Sequence, residues 1–193
     1  MGIRSSFVDE AQSSASAFVD AINRVLSERG VSSYADPDDP PNVYAGHLFG
    51  RSELDHHSSR VLVKIASLGI ASRTSPNLEL IRDNPFRLAY VPIDFFPPSP
   101  TAYHEQITGK DGRIWVGSLP HLLTELKSLA EDLGIPLTNG DITDETAADI
   151  NDFKPFNVKD STELIEDDRT AWLAIYEGTR LALQHNVALS LAG

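Results

Sequence analysis

The chain contains no cysteine, which excludes a disulfide framework, a thiolate zinc centre, an iron–sulfur cluster and a cysteine nucleophile together. It is short of positive charge: 16 Lys and Arg stand against 28 Asp and Glu, a formal net charge of -12. Such a surface repels phosphate, so direct nucleic-acid binding is disfavoured unless a local basic patch offsets the average. The most basic stretch, Arg51 to Arg87, has no aromatic interleaving and offers no such patch. Apolar runs fall far short of the ~20 residues a membrane helix requires. No phosphate loop, GxGxxG or GxSxG occurs. The N-terminal stretch MGIRSSFVDEAQ lacks the apolar centre of a secretory signal, so a cytoplasmic protein is expected.

What is present is an ordinary globular composition. Of 193 residues, 41% are hydrophobic and 23% charged, enough to bury one core without disulfides or a structural metal. The expectation is a single domain spanning 1–193, with a helical N-terminal part (5–70), a strand-rich middle (77–117) and a helical, acidic C-terminal part (118–193).

Local patterns give the elements. Phe7, Ala11, Ala15, Phe18, Ile22, Val25 and Leu26 recur at helical steps and Gly30 follows, which predicts a first helix. Pro37, Pro40 and Pro41 among acids predict a loop. A second helix is expected from Ser52 to Leu68. The period then shortens, and Asn77–Ile81, Arg87–Phe95, Tyr103–Thr108 and Arg113–Gly117 read as strands, the last two joined by a turn over Gly109–Gly112. Pro92 breaks the second run or confines it to an edge. Leu119–Leu133 is the clearest helix, with Ser118 as its cap, Pro120 in its first turn and Gly134 as its stop. Thr143 caps a short acidic helix, and a long helix starts near Asp160. The sum is an α+β fold, a small antiparallel β-meander packed against about five helices.

Candidate chemistry is sparse. His47, His56 and His57 form the densest imidazole group, but adjacent helical residues point ~100° apart and do not face one ion readily. Asp94 is the lone charge in an apolar run, and reads as a gatekeeper or a buried paired group. Ser118 superficially resembles a nucleophile, yet helix capping accounts for it fully. No cofactor and no metal site are expected.

The unexplained feature is the clustering of acids. From Thr138 to Arg169 there are ten Asp or Glu against Lys154, Lys159 and Arg169. Glu145, Asp149 and Asp152 recur at four and three residues, one side of a short helix, with Asp141 just before it. Like charges at that spacing repel, so solubility or a partner must account for them. The leading expectation is a non-catalytic acidic protein that docks on a basic protein partner through Asp141, Glu145, Asp149 and Asp152, with Asp36, Asp38 and Asp39 as a second patch. No nucleic acid and no membrane are expected among its partners, and a homodimer is allowed. The type is that of immunity proteins of bacterial toxins and other inhibitors. The alternatives are a small metal-dependent hydrolase built on His47, His56 and His57, and a homo-oligomeric assembly subunit using the last helix.

Overall fold

The computed structural model describes residues 3–35, 37, 75–83, 87–105, 110–151 and 161–192. The helix expected at 52–68 lies outside them, as do Asp36, Asp38, Asp39, His47, His56, His57 and Asp152. The described elements run α1 (Ile3–Glu28), α2 (Pro76–Asp83), β1 (Arg87–Val91), β2 (Ser99–Glu105), β3 (Lys110–Ser118), α3 (Leu119–Asp132), α4 (Asp144–Asn151), α5 (Ser161–His185) and β4 (Leu189–Ala192).

The class is α+β, as the sequence implies, but the sheet is mixed. Its order is β2-β3-β1-β4. The pair β2–β3 is antiparallel and closes from Ser99↔Val116 to Glu105↔Lys110, so Lys110 and Asp111 belong to a strand rather than to the turn. Strand β1 runs parallel to β3, with Leu88 opposite Trp115 and Val91 opposite Ser118. Strand β4 adds antiparallel to β1 on its other side. The meander expectation fails because Pro92 has no N–H for a ladder: β1 stops at Val91, and residues 92–98 carry the chain past β3 before it re-enters the sheet. Pro100 is tolerated because β2 lies at the edge.

Period-two alternation puts Leu88 and Tyr90 on one face of the sheet and Ala89 and Val91 on the other. The second face, with Ile114 and Val116, packs under α1 through Ala21, Ile22, Val25 and Leu26. Asn23 and Tyr34 bond each other twice, and the Tyr34 hydroxyl accepts from Ala188 N, fixing the end of α1 beside β4. Helices α2, α3 and α5 cover the first face.

Residues 77–81 are helical, not extended. Leu78, Leu80 and Ile81 are all buried, and five residues are too few for their spacing to separate the two periods. What decides the case is tertiary. The Glu125 carboxylate of α3 accepts from Asn77 N at 3.2 Å, Asn77 Nδ2 at 2.8 Å and Leu78 N at 2.9 Å, capping α2 from outside. Asn77 Oδ1 accepts from Ser118 N, and the Tyr90 hydroxyl donates to Asn77 O at 2.7 Å. Gly117 is required beneath this cluster, since a Cβ there would sit 2.6 Å from the Tyr90 ring and 2.8 Å from Asn77 Oδ1.

Helix ends follow local rules. Ser118 holds the extended cap conformation and its Oγ accepts from His121 N. After α3, Gly134 at φ 63° lets Gly134 N reach Glu131 O and Ile135 N reach Ala130 O, the paired closure that needs a left-handed residue. Helix α5 runs on through Gly178, where a Cβ would make only ordinary contact with Leu189 at 3.8 Å.

Two outcomes follow. Gly117→Ala is expected to cost about 2 kcal/mol in denaturant unfolding through overpacking; a loss under about 0.5 kcal/mol would show that the Tyr90–Asn77 cluster yields. Burial raises the Glu125 carboxyl above its ordinary 4.5 despite the three donors. A folded value above the unfolded one means the native state holds the proton longer. Stability therefore falls as pH rises from about 4.5 to the folded value, and that segment of the pH–stability curve should be absent in Glu125→Gln.

Candidate functional site

Helix α4 is short and carries its charge outward. Thr143 Oγ1 caps it by accepting from Thr146 N at 3.2 Å. Asp144 and Glu145 occupy its first turn, where the helix dipole favours anions. Ile150 points inward and is buried, whereas Asp144, Glu145 and Asp149 are exposed. Among the described residues none forms an ion pair with these three carboxylates. Glu145 and Asp149 share a side as the spacing predicts, and Asp141 lies just before the helix.

Asp141 differs from the other two. Its Oδ1 accepts from the Tyr176 hydroxyl at 2.5 Å and from Ile142 N at 2.9 Å. The hydroxyl bond is the main reason its carboxyl is held below the ordinary carboxylate range, with the Ile142 N–H and the charges of Lys127 and Arg180 adding to it. Burial, and then the bond to Asp141, push the Tyr176 phenol well up. Arg180 is kept nearby by Glu177, through Nη2 at 3.0 Å and Nε at 3.3 Å.

Tyr176 is in turn fixed from the core. Its ring stacks on Trp172 with centroids 4.6 Å apart and an 18° interplanar angle, and Trp172 Nε1 donates to Leu126 O of α3 at 2.9 Å. One helical turn on α5 thus links α3 to the start of α4. A second tie comes from Arg169, whose Nε donates to Leu133 O at 2.9 Å and Nη2 to Gly134 O at 3.4 Å. Between that tie and α4 lies a cleft of about 190 Å³, walled by Ile135, Pro136 and Ile150, with Thr146, Asp149 and Arg169 as its polar groups.

Neither Tyr176 nor Arg169 stands out in the acidic pattern. The available signal was Trp172 and Tyr176 at i and i+4, an aromatic pair on one helix face. Asp94 lies beyond the end of β1; it is exposed and within 2.9 Å of His121 Nε2, so it is a surface pair and not a buried one. Among the described residues no group of three His, Asp or Glu converges as a metal site, and no helix is long and apolar enough to cross a membrane.

A family model described as "Putative DNA-mimic protein" matches residues 80–191, more than half of the chain and all of the α3–α4–α5 assembly. No curated protein and no solved structure matches. The family match corrects the expectation of a generic basic partner with no nucleic acid involved. The family's description concerns mimicry of DNA, which implies partners that bind DNA, and nucleic acid enters as the molecule imitated. The repulsion of phosphate by the net charge, which argued against nucleic acid, is the same property that makes imitation feasible.

Removing the hydroxyl that holds Asp141 tests how α4 is positioned. The carboxyl is lowered in the folded state, so its contribution is present above the ordinary value of 3.8 and is lost as pH falls through the folded value. Tyr176→Phe should cost about 1 kcal/mol near neutral pH, and the gap to the native protein should close as pH falls below 3.8. A gap independent of pH in thermal unfolding would mean that packing, not the bond to Asp141, carries the effect.

Proposed function

The chain belongs to the DNA-mimic family, and on that premise we propose that it is a non-catalytic inhibitor that occupies the DNA-contacting surface of a DNA-binding protein in the cytoplasm. The observation that carries the reading is the exposed carboxylate row on α4, without an ion-pair partner among the described residues, inside the matched segment and braced by two ties in the segment that leads into it.

The spacing suits the task. One DNA strand carries a charge every ~3.4 Å of axis. A helix rises ~1.5 Å per residue, so Glu145 and Asp149 stand about 6 Å apart along α4, between one and two phosphate steps. Lysines and arginines set to meet phosphates encounter carboxylates at a similar pitch. Held rigidly, these carboxylates lose little freedom on binding, which favours affinity. Asp141 sits just before the row, and Asp152, Asp36, Asp38 and Asp39, outside the described residues, are further contact candidates on sequence alone. Complementary potential steers such an encounter and makes it salt-sensitive. Nothing in this action needs a cofactor or a bond-making step, and simple occlusion is also how inhibitors of the toxin-immunity type work.

The test uses the immobilised native chain and extract from its source. Proteins retained at low salt are eluted at constant ionic strength with a 20-base-pair duplex or with polyglutamate of equal charge. The reading expects duplex to release a DNA-binding protein at lower concentration than polyglutamate does. It also expects the Glu145→Lys/Asp149→Lys variant to bind that protein at least about tenfold more weakly, with a flatter salt dependence. Equal release by both polyanions would contradict DNA mimicry, and unchanged affinity of the double variant would remove α4 from the contact.

A further inference from the structure

We infer that the cleft beside α4 is a socket for one arginine side chain of the DNA-binding partner, and that this contact supplies specificity which the exposed carboxylates alone do not. The inference deepens the DNA-mimic reading and rests on it for the source of the arginine.

Size is the first argument. At about 190 Å³ the cleft lies below the ~300–1,000 Å³ of small-molecule sites. It has the scale of a single long side chain, and interface anchors typically fill pockets of this kind. Lining is the second. Ile135, Pro136 and Ile150 give apolar walls for a methylene stem, and Asp149, Thr146 and Arg169 are the polar residues of the lining. Glu145, one turn before Asp149, adds a second exposed carboxylate on the same side. A guest with an apolar stem and a cationic, hydrogen-bonding head matches that lining.

Arginine fits better than lysine. Its guanidinium is weakly hydrated and planar, so it loses less on entering a partly apolar recess and can bond a carboxylate with two donors. It is also a residue that DNA-binding proteins direct at phosphates. The resident Arg169 does not oppose this. Its Nε and Nη2 are committed to the carbonyls of Leu133 and Gly134, which leaves the Asp149 carboxylate of the lining for the guest. Glycine at 134 matters here as well, because a Cβ would lie 3.0 Å from Arg169 Nη2 and displace the tie that shapes the wall. A row of carboxylates could attract any polycation, but a recess of this size and lining selects among them.

A small probe tests the socket without the partner. N-acetyl-arginine methylamide, and N-acetyl-citrulline methylamide as its neutral isostere, are titrated into the uniformly ¹⁵N-labelled native chain. The arginine probe should give saturable amide shifts centred on Gly134, Ile135, Thr146, Asp149 and Ile150, and the citrulline probe none. Thr146→Phe fills the cleft without changing charge and should weaken the probe by about tenfold or more. Ala148→Phe adds the same ring at an exposed position of the same helix, outside the cleft, and should stay within about twofold. Shifts spread evenly over the acidic surface, or equal shifts with citrulline, would overturn the socket. Both of those outcomes are read on the native protein and so do not depend on either variant folding. No DNA-binding protein takes part, so a failed titration removes the socket alone, whereas release by polyglutamate as readily as by duplex removes the mimic reading.

Discussion

One buried amide joins the layers of this structure. Asn77, 1% exposed, donates its N–H and its side-chain amide N–H to the Glu125 carboxylate, accepts at Oδ1 from Ser118 N, and accepts at its backbone carbonyl from the Tyr90 hydroxyl. Through these bonds α2, α3, β1 and the end of β3 meet at a point where Gly117 leaves room for nothing larger. A partner lost from such a cluster leaves a buried polar group unpaired, at a cost of about 1–3 kcal/mol. Helix α3 is therefore fixed against the sheet at its first turns. Everything outside it, α5 and then α4, takes its position from α3.

The acidic face depends on that chain of support. A helix of eight residues, Asp144–Asn151, would be marginal alone even without repulsion between its carboxylates. Here Ile150 is buried, Thr143 caps the first turn, Tyr176 holds Asp141, and Arg169 secures the loop from α3. Among the described residues, Arg169 acts on loop carbonyls, and Lys127 and Arg180 act on Asp141. The outer carboxylates are left without counterions among the described residues. A protein that needed only solubility could scatter its charge. Concentrating it on a braced element, against the repulsion, is what presentation of a negative surface to a partner requires.

Much of this was legible in the sequence where the physics is local. Ser118, Pro120 and Gly134 mark the two ends of α3 because caps and stops act over a few residues, and Leu122, Leu126 and Leu129 lie on its buried stripe. Glu145 and Asp149 share a face because helical periodicity says so. Asn77–Ile81 misleads because the decisive cap comes from Glu125, 47 or 48 residues away. Sheet order misleads for a similar reason: β1 takes β3 and β4 as neighbours, and β4 arrives only after three further helices. The cleft had no local signature at all, since Gly134 to Pro136, then Thr146, Asp149 and Ile150, and Arg169 converge only when α5 folds back onto α3. The charge balance was visible at once and pointed to an acidic binding protein, a reading compatible with the family match; the match adds nucleic acid as the molecule imitated, which the charge alone did not suggest.

On the proposed function, this chain and DNA occupy one surface of the same protein. Native mass spectrometry of the duplex-displaceable partner mixed with both the chain and a 20-base-pair duplex tests it most directly. Two binary complexes are expected, in proportions that follow the ratio of chain to duplex, with no species containing all three. A stable ternary complex would contradict it.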